Sequence, residues 1–147
     1  MPAFEASAKL DSCARSDDRP PMISTLSLVA LGGAIGASVR WLTGEAVLRV
    51  MGPSEFPVAI ITVNVIGSFL MGVFVIAAAS RGLTHISPFV MTGLLGGFTT
   101  FSAFSLETVN LLERGHVGQA GLYILLSVGL SVGALALGLI LARGVFL

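Results

Sequence analysis

The residues of this chain that could do chemistry are few, and almost none of them carry charge. Asn64, in Thr62-Val63-Asn64-Val65-Ile66-Gly67-Ser68, is the only amide in its apolar run, and Ser68 lies four residues on, hence on the same helical face. Its side chain offers two donor hydrogens and an acceptor. Two uses fit: a hydrogen bond tying helices together, or a donor lining a polar path. A second group is Gly96-Gly97-Phe98-Thr99-Thr100-Phe101-Ser102-Ala103-Phe104-Ser105. Adjacent glycines, adjacent β-branched threonines and two serines make a poor helix, so a break is expected there. Carbonyls freed at a break are hard oxygen ligands, suited to an alkali or alkaline-earth cation. Phe98, Phe101 and Phe104 recur every three residues and share one broad side, either as packing or as a lining beside the hydroxyls. Tyr123, Ser127 and Ser131, at four-residue intervals, form a slowly drifting hydroxyl stripe. Serines so placed either bond their own i−4 carbonyls or make a polar track.

The elements that must position these residues are membrane helices. Hydrophobic residues make up 54% of the 147 and charged residues 11%, against about 25% charged in soluble domains. Lipid accepts such a surface; water does not. Four apolar runs, at about 24–48, 56–79, 87–111 and 119–142, each reach the roughly 20 residues that cross a hydrocarbon core. The breaks between them, at Arg49–Glu55, Ser80-Arg81-Gly82 and Glu113-Arg114-Gly115-His116, are short and carry turn residues. Neighbouring helices must therefore run antiparallel, with no room for a soluble domain or an enzyme active site. The expectation is an all-α integral membrane protein, multi-pass in the cell membrane, with four transmembrane helices and a break in the third.

At bilayer depth an unpartnered polar group is costly, and a charge at a helix centre costs roughly 2.5–3.5 kcal/mol. Arg40 and Glu107 lie nearer the ends of their spans, and a water-filled vestibule would suit both. Gly32, Gly33 and Gly36, Gly67 and Gly72, and Gly129, Gly133 and Gly138 put small residues on repeating faces. Such faces let helix backbones approach closely.

The rest of the sequence excludes more than it suggests. Residues 1–22 form a charged stretch ending near Pro20-Pro21 and read as a disordered polar tail. That stretch has no apolar core of its own, so it is not a secretory signal. Met22 would make a natural start, so residues 1–21 are expected to be dispensable, or to come from a start codon chosen too early, and 23–147 to form the four-helix transmembrane domain. Equal numbers of acidic and basic residues leave no footprint for nucleic acid. Cys13 is alone, which excludes an internal disulfide or a cysteine-based metal site. His85 and His116 fall between apolar runs and read as exposed loop residues.

Three motifs together resemble the Fluc (CrcB) fluoride channels. They are Gly32-Gly33-Ala34-Ile35-Gly36-Ala37 with Arg40-Trp41, Asn64-Val65-Ile66-Gly67-Ser68-Phe69, and Gly96 through Glu107. Their order and spacing agree over about residues 23–143. The resemblance implies a passive, fluoride-selective channel that exports fluoride and relieves its toxicity, in the inner membrane if the source is bacterial. It implies a dual-topology homodimer of two chains inserted in opposite orientations, surrounded by lipid, with two pores along the interface. It also implies a structural sodium ion at the dimer centre, held by the backbone carbonyls of Gly96 and Thr99. On the same grounds Asn64, Phe101, Phe104, Tyr123, Ser127 and Ser131 line the fluoride pore, and Arg40 stands in a vestibule, where Glu107 also fits.

Physical chemistry fits these roles. Fluoride is small and strongly hydrated, so a pore must replace its water with donors such as amides and hydroxyls. A phenylalanine ring has a positive edge that can face an anion. The arginine balance fits two orientations as well. With the tail left out, Arg81 and Arg143 lie on one side, and Arg40, Arg49 and Arg114 on or near the other, which is almost no bias; Lys9, Arg15 and Arg19 of the tail make it five against three. Two other readings carry different signatures. A small dual-topology proton-coupled exporter needs a carboxylate deep in its first helix, and the first span has none before Glu45 at its far end. A non-transporting assembly subunit would use the polar positions as packing glue.

Overall fold

A computed structural model describes residues 22–146, and every regular element among them is helical. The first helix is Met22–Met51, the second Val58–Arg81 and the last Val117–Phe146. Between them Leu83–Glu113 is a composite. It runs through a 3-10 turn at Leu83–Ile86, a π-helical stretch at Pro88–Leu95, a single turn at Gly96–Phe98 and an α-helix at Phe101–Glu113. These four segments are each long and apolar enough to cross a membrane, and the chain is a multi-pass membrane protein.

The helices overrun the apolar runs by up to about a turn, since helical hydrogen bonding continues past the hydrocarbon into the headgroup region, except that the second begins at Val58, after Pro57, rather than at 56. Met22, counted with the tail from its sequence, is the first residue of the first helix. The rest of the tail lies outside the described residues. Tight connections depend on glycines at positive φ. Gly82, at φ 66°, caps the second helix and donates its N–H to the Ala78 carbonyl, and Gly115 turns the third connection at φ 80°. Across the bundle end, the Arg81 guanidinium sits 4.7 Å over the Phe146 ring, joining the ends of the second and fourth helices.

Backbone-to-backbone crossings organise the packing. A Cβ on Gly72 would collide with the Leu135 carbonyl, and one on Gly138 with the Phe69 carbonyl, so the second and fourth helices lock at this reciprocal pair. A Cβ on Gly32 would meet the Phe89 carbonyl, and one on Gly36 the Leu94 carbonyl. There the first helix lies against the π-helical stretch, whose wider turn shows in the Gly96 N–H reaching back to the Met91 carbonyl. Gly67 gives way to Phe98 and Thr99. Gly129 and Gly133 do not act as their spacing suggested: both are exposed, and no atom stands where their Cβ would go.

Overpacking costs typically about 1–3 kcal/mol. Gly72→Ala and Gly138→Ala should each lower the thermal unfolding midpoint in detergent, whereas Gly144→Ala, at an open position near the chain end, should leave it unchanged.

Candidate functional site

Helical backbone stops at Phe98 and resumes at Phe101. Between them Thr99 (φ −80°, ψ 157°) and Thr100 (φ −152°, ψ 121°) are both extended. An α-helix closes each N–H on the carbonyl four residues back, so this pair diverts several bonds. Thr99 still reaches back, with N–H and Oγ1–H both donating to the Leu95 carbonyl at 3.0 and 3.1 Å. Thr100 does not. Its N–H donates to Asn64 Oδ1 at 2.9 Å, and Asn64 Nδ2 donates to the Thr100 carbonyl at 3.2 Å. The Thr100 hydroxyl caps the next helix, accepting from the Ala103 N–H at 3.2 Å, and lies 3.1 Å from Ser102 Oγ.

Carbonyls around the break lose their helical donors in this arrangement, those of Gly96 and Thr99 among them. The Gly96 carbonyl would normally receive the Thr100 N–H, and the Thr99 carbonyl the Ala103 N–H; both donors are engaged elsewhere. Asn64 meets the first of its two expected uses, because it ties the second helix to the third span. One Nδ2 hydrogen is left over after the bond to Thr100, and it belongs to a residue that lines a cavity.

That cavity is an open groove of about 290 Å³ along the protein surface. Asn64, Ser68, Thr99, Thr100, Phe101, Phe104, Ser127 and Ser131 line it, with Val128 and Val132. The candidate residues of three separate helices therefore meet in one place. Phe101 is 77% exposed at its edge. Its ring lies 5.3 Å from that of Phe104, which lies 5.3 Å from Tyr123, itself fully buried. Phe98, by contrast, is buried against Gly67 and serves packing. Gly96 lies outside the groove lining, at an exposed position on the protein surface.

Hydroxyl bonding separates structure from site. Ser27, Ser38, Thr43, Thr62, Ser105 and Thr108 each donate to the carbonyl four residues back, the bond open to any serine or threonine in a helix. Tyr123 Oη and Ser131 Oγ are buried and have no partner among the described residues. A buried orphan hydroxyl calls for a water or an ion.

Arg40 and Glu107 open onto different cavities rather than one vestibule. Arg40 lines a space of about 410 Å³ with Thr100, Ser102, Ala103 and Leu106. Glu107 lines one of about 350 Å³ with Ser54, Glu55, Phe56 and Arg114. His116, expected as an exposed loop residue, is half-buried, with Nδ1 3.8 Å from Glu55 Oε2. Two residues of the site escaped the sequence reading. Thr100 gives up its helical bonds to build the Asn64 tie, for which its place in a poor helix former was the only signal. Phe56 packs edge-to-ring on Tyr123 at 5.9 Å and 87°, and at a span end it carried no signal.

A membrane protein whose polar side chains gather in one groove at the depth of its spans is built to pass or hold a small ion. The chain matches the family described as CrcB-like protein, Camphor Resistance (CrcB), over residues 27–139. It is 67% identical over 124 residues to the fluoride-specific ion channel FluC of Ruegeria sp. (strain TM1040), an overlap covering 84% of this chain and 98% of that relative. It is likewise 67% identical over 126 residues to the protein of the same name from Roseobacter denitrificans, covering 85% of this chain and all of that relative. The similar protein from Jannaschia sp. is 73% identical over 103 residues, 67% of this chain and 98% of that one. The chain belongs to the CrcB family.

Leaving a buried backbone group unpaired costs about 1–3 kcal/mol. Asn64→Leu strands both the N–H and the carbonyl of Thr100 and should destabilise the purified protein by that order in thermal unfolding. Ser131→Ala removes a hydroxyl that already lacks a partner and should leave the unfolding midpoint unchanged or slightly raised.

Proposed function

We propose that this chain is a passive, fluoride-selective channel that lets fluoride run out of the cell and so relieves its toxicity. The observation that carries this reading is the gathering of unspent donors in one groove. Asn64 keeps an N–H in hand, Ser127 and Ser131 line the groove, and the Tyr123 hydroxyl lies unpaired beyond Phe104. A small anion stripped of water needs that supply of donors. Phe101 and Phe104 add ring edges, which are weakly positive and need no charge in lipid. Nothing in the lining pairs a nucleophile with a base, so the groove suits conduction rather than catalysis. The names of the relatives point the same way.

The working unit is two chains in opposite orientations. In lipid, extended backbone is tolerated only where protein or water covers it, and the groove is open beside exposed Phe101 and Gly96. A second copy would close it, and the nearly balanced arginines permit the opposite insertion. A sodium ion fits between the copies, since the Gly96 and Thr99 carbonyls are hard oxygens without their helical donors. When bound, it supplies a fixed positive charge that eases an anion's entry into low dielectric. The chain's own part is to hold those carbonyls outward through the Asn64–Thr100 tie and to donate hydrogen bonds from the fourth helix.

Liposomes loaded with fluoride and carrying only the purified protein should release it down its gradient without a proton gradient. Phe101→Ile or Phe104→Ile should slow that release by tenfold or more, the rate equivalent of about 1.4 kcal/mol, while the protein stays assembled. No efflux from wild-type protein would end the channel reading, and wild-type rates in both variants would remove the rings from it. For orientation, a topology reporter fused to the C-terminus should give signal from both sides of the membrane. Signal from one side alone would contradict the antiparallel pair.

A further inference from the structure

Tyr123 is held in an unusual way. It is the chain's single tyrosine and is fully buried, yet its hydroxyl makes no hydrogen bond to any described residue. A buried phenol is ordinarily oriented by the bond its O–H makes. Here packing alone is left to fix its direction, from the aliphatic cluster around it and from two rings. Phe104 supplies one ring contact, tilted at 34°. The other comes from Phe56, edge-to-ring at 87°, from the connection ahead of the second helix.

Phe56 is itself tightly placed. Its N–H donates to Ser54 Oγ at 3.2 Å, its carbonyl accepts from the Val58 N–H at 2.8 Å, and Pro57 follows with its fixed φ. Its backbone is held on both sides, which fixes the point from which its ring is presented. It also lines the cavity that holds Glu55, Glu107 and Arg114. The rings of Phe101, Phe104, Tyr123 and Phe56 thus form one unbroken series from the Thr99–Thr100 break to that outer cavity.

We infer that Phe56 is a positioning residue for the anion path: its ring fixes the direction of the Tyr123 hydroxyl and so sets the last donor before the outer cavity. This rests on the fluoride-channel reading for its consequence, and on the ring geometry alone for its cause. Without the Phe56 ring, the phenol can turn within its apolar cage of Ile61, Leu111 and Ala120, and the donor is no longer presented in one direction.

Having one tyrosine makes the test direct, because the ultraviolet resonance Raman tyrosine doublet, which reports phenol hydrogen bonding, then comes from Tyr123 alone. Phe56→Leu, full-length and purified, is compared with wild type and with Leu111→Val, which trims the apolar cluster around Tyr123 but leaves all four rings in place. In wild type and Leu111→Val, adding fluoride should shift the doublet. In Phe56→Leu the shift should be lost and fluoride efflux from liposomes should fall roughly three- to tenfold, the rate equivalent of one aromatic pair. Phe56→Tyr, measured by efflux alone, should restore the rate. The inference is overturned if Phe56→Leu keeps both the wild-type shift and the wild-type rate. It is equally overturned if Leu111→Val loses efflux and shift together to the same extent, because Phe56 would then be packing only. Absence of efflux from wild type would instead defeat the channel reading. The Raman comparison would still decide whether Phe56 orients the phenol.

Discussion

Inside hydrocarbon a peptide group has no water to fall back on, so every backbone N–H and carbonyl needs a partner within the protein. The Asn64–Thr100 pairing is how this chain opens a helix under that constraint. Extending Thr99 and Thr100 releases donors and acceptors alike, and the surrounding side chains take up the donors selectively. The Thr99 N–H keeps Leu95, the Thr100 N–H goes to Asn64, and the Ala103 N–H goes to the Thr100 hydroxyl. The carbonyls of Gly96 and Thr99 are left without their helical donors. The Phe101 and Ser102 N–H groups, in the first turn of the next helix, make no backbone hydrogen bond among the described residues, so the break presents acceptors and donors together. The hydroxyl donors of the groove come from another helix.

Those donors come from the fourth helix, and their availability depends on a bond not being made. Serines and threonines elsewhere in the spans spend their hydrogens on the carbonyl one turn back. That bond satisfies the hydroxyl where it stands and makes it inert toward a passing ion. Among the described residues the Tyr123 and Ser131 hydroxyls stay unspent although buried, and Ser127, almost as buried, stands between them in the stripe. Keeping such groups unpaired in low dielectric costs stability, about 1–3 kcal/mol for each group that lacks even water. A folded chain carries that cost where an ion or water recovers it.

How much of this was legible in the sequence depended on whether one residue's chemistry sufficed. The four spans were, because apolar length alone fixes them, and the poor helix around Gly96–Thr100 stood out through its glycines and β-branched threonines. The double use of Asn64 was only half legible: a lone amide in an apolar run has to bond something, but the partner is main chain on another span, which spacing cannot reveal. The glycine faces divided for the same reason. Gly72 and Gly138 meet across a crossing, whereas Gly129 and Gly133, with identical chemistry, look outward. The π-helical stretch at Pro88–Leu95 has no compositional mark at all, since it arises where the first helix presents Gly32 and Gly36 to it. Phe56 was invisible because an aromatic at a span end is ordinarily an interfacial anchor.

The placing of these crossings also decides which parts of the groove are stiff. Asn64, Ser127 and Ser131 belong to the second and fourth helices, which are locked backbone to backbone at Gly72 and Gly138. The half of the third span before the break is locked to the first helix in the same manner. The helix Phe101–Glu113, which carries both groove-lining phenylalanines, has no such glycine crossing. Side-chain packing on the fourth helix, the Thr100 cap and the Asn64 tie hold it instead. Thr100 is the one residue that lines the groove and also borders the Arg40 cavity. A hydrogen-bonded pair that seals the backbone thus also ties the second helix to the residue that caps the ring-bearing helix.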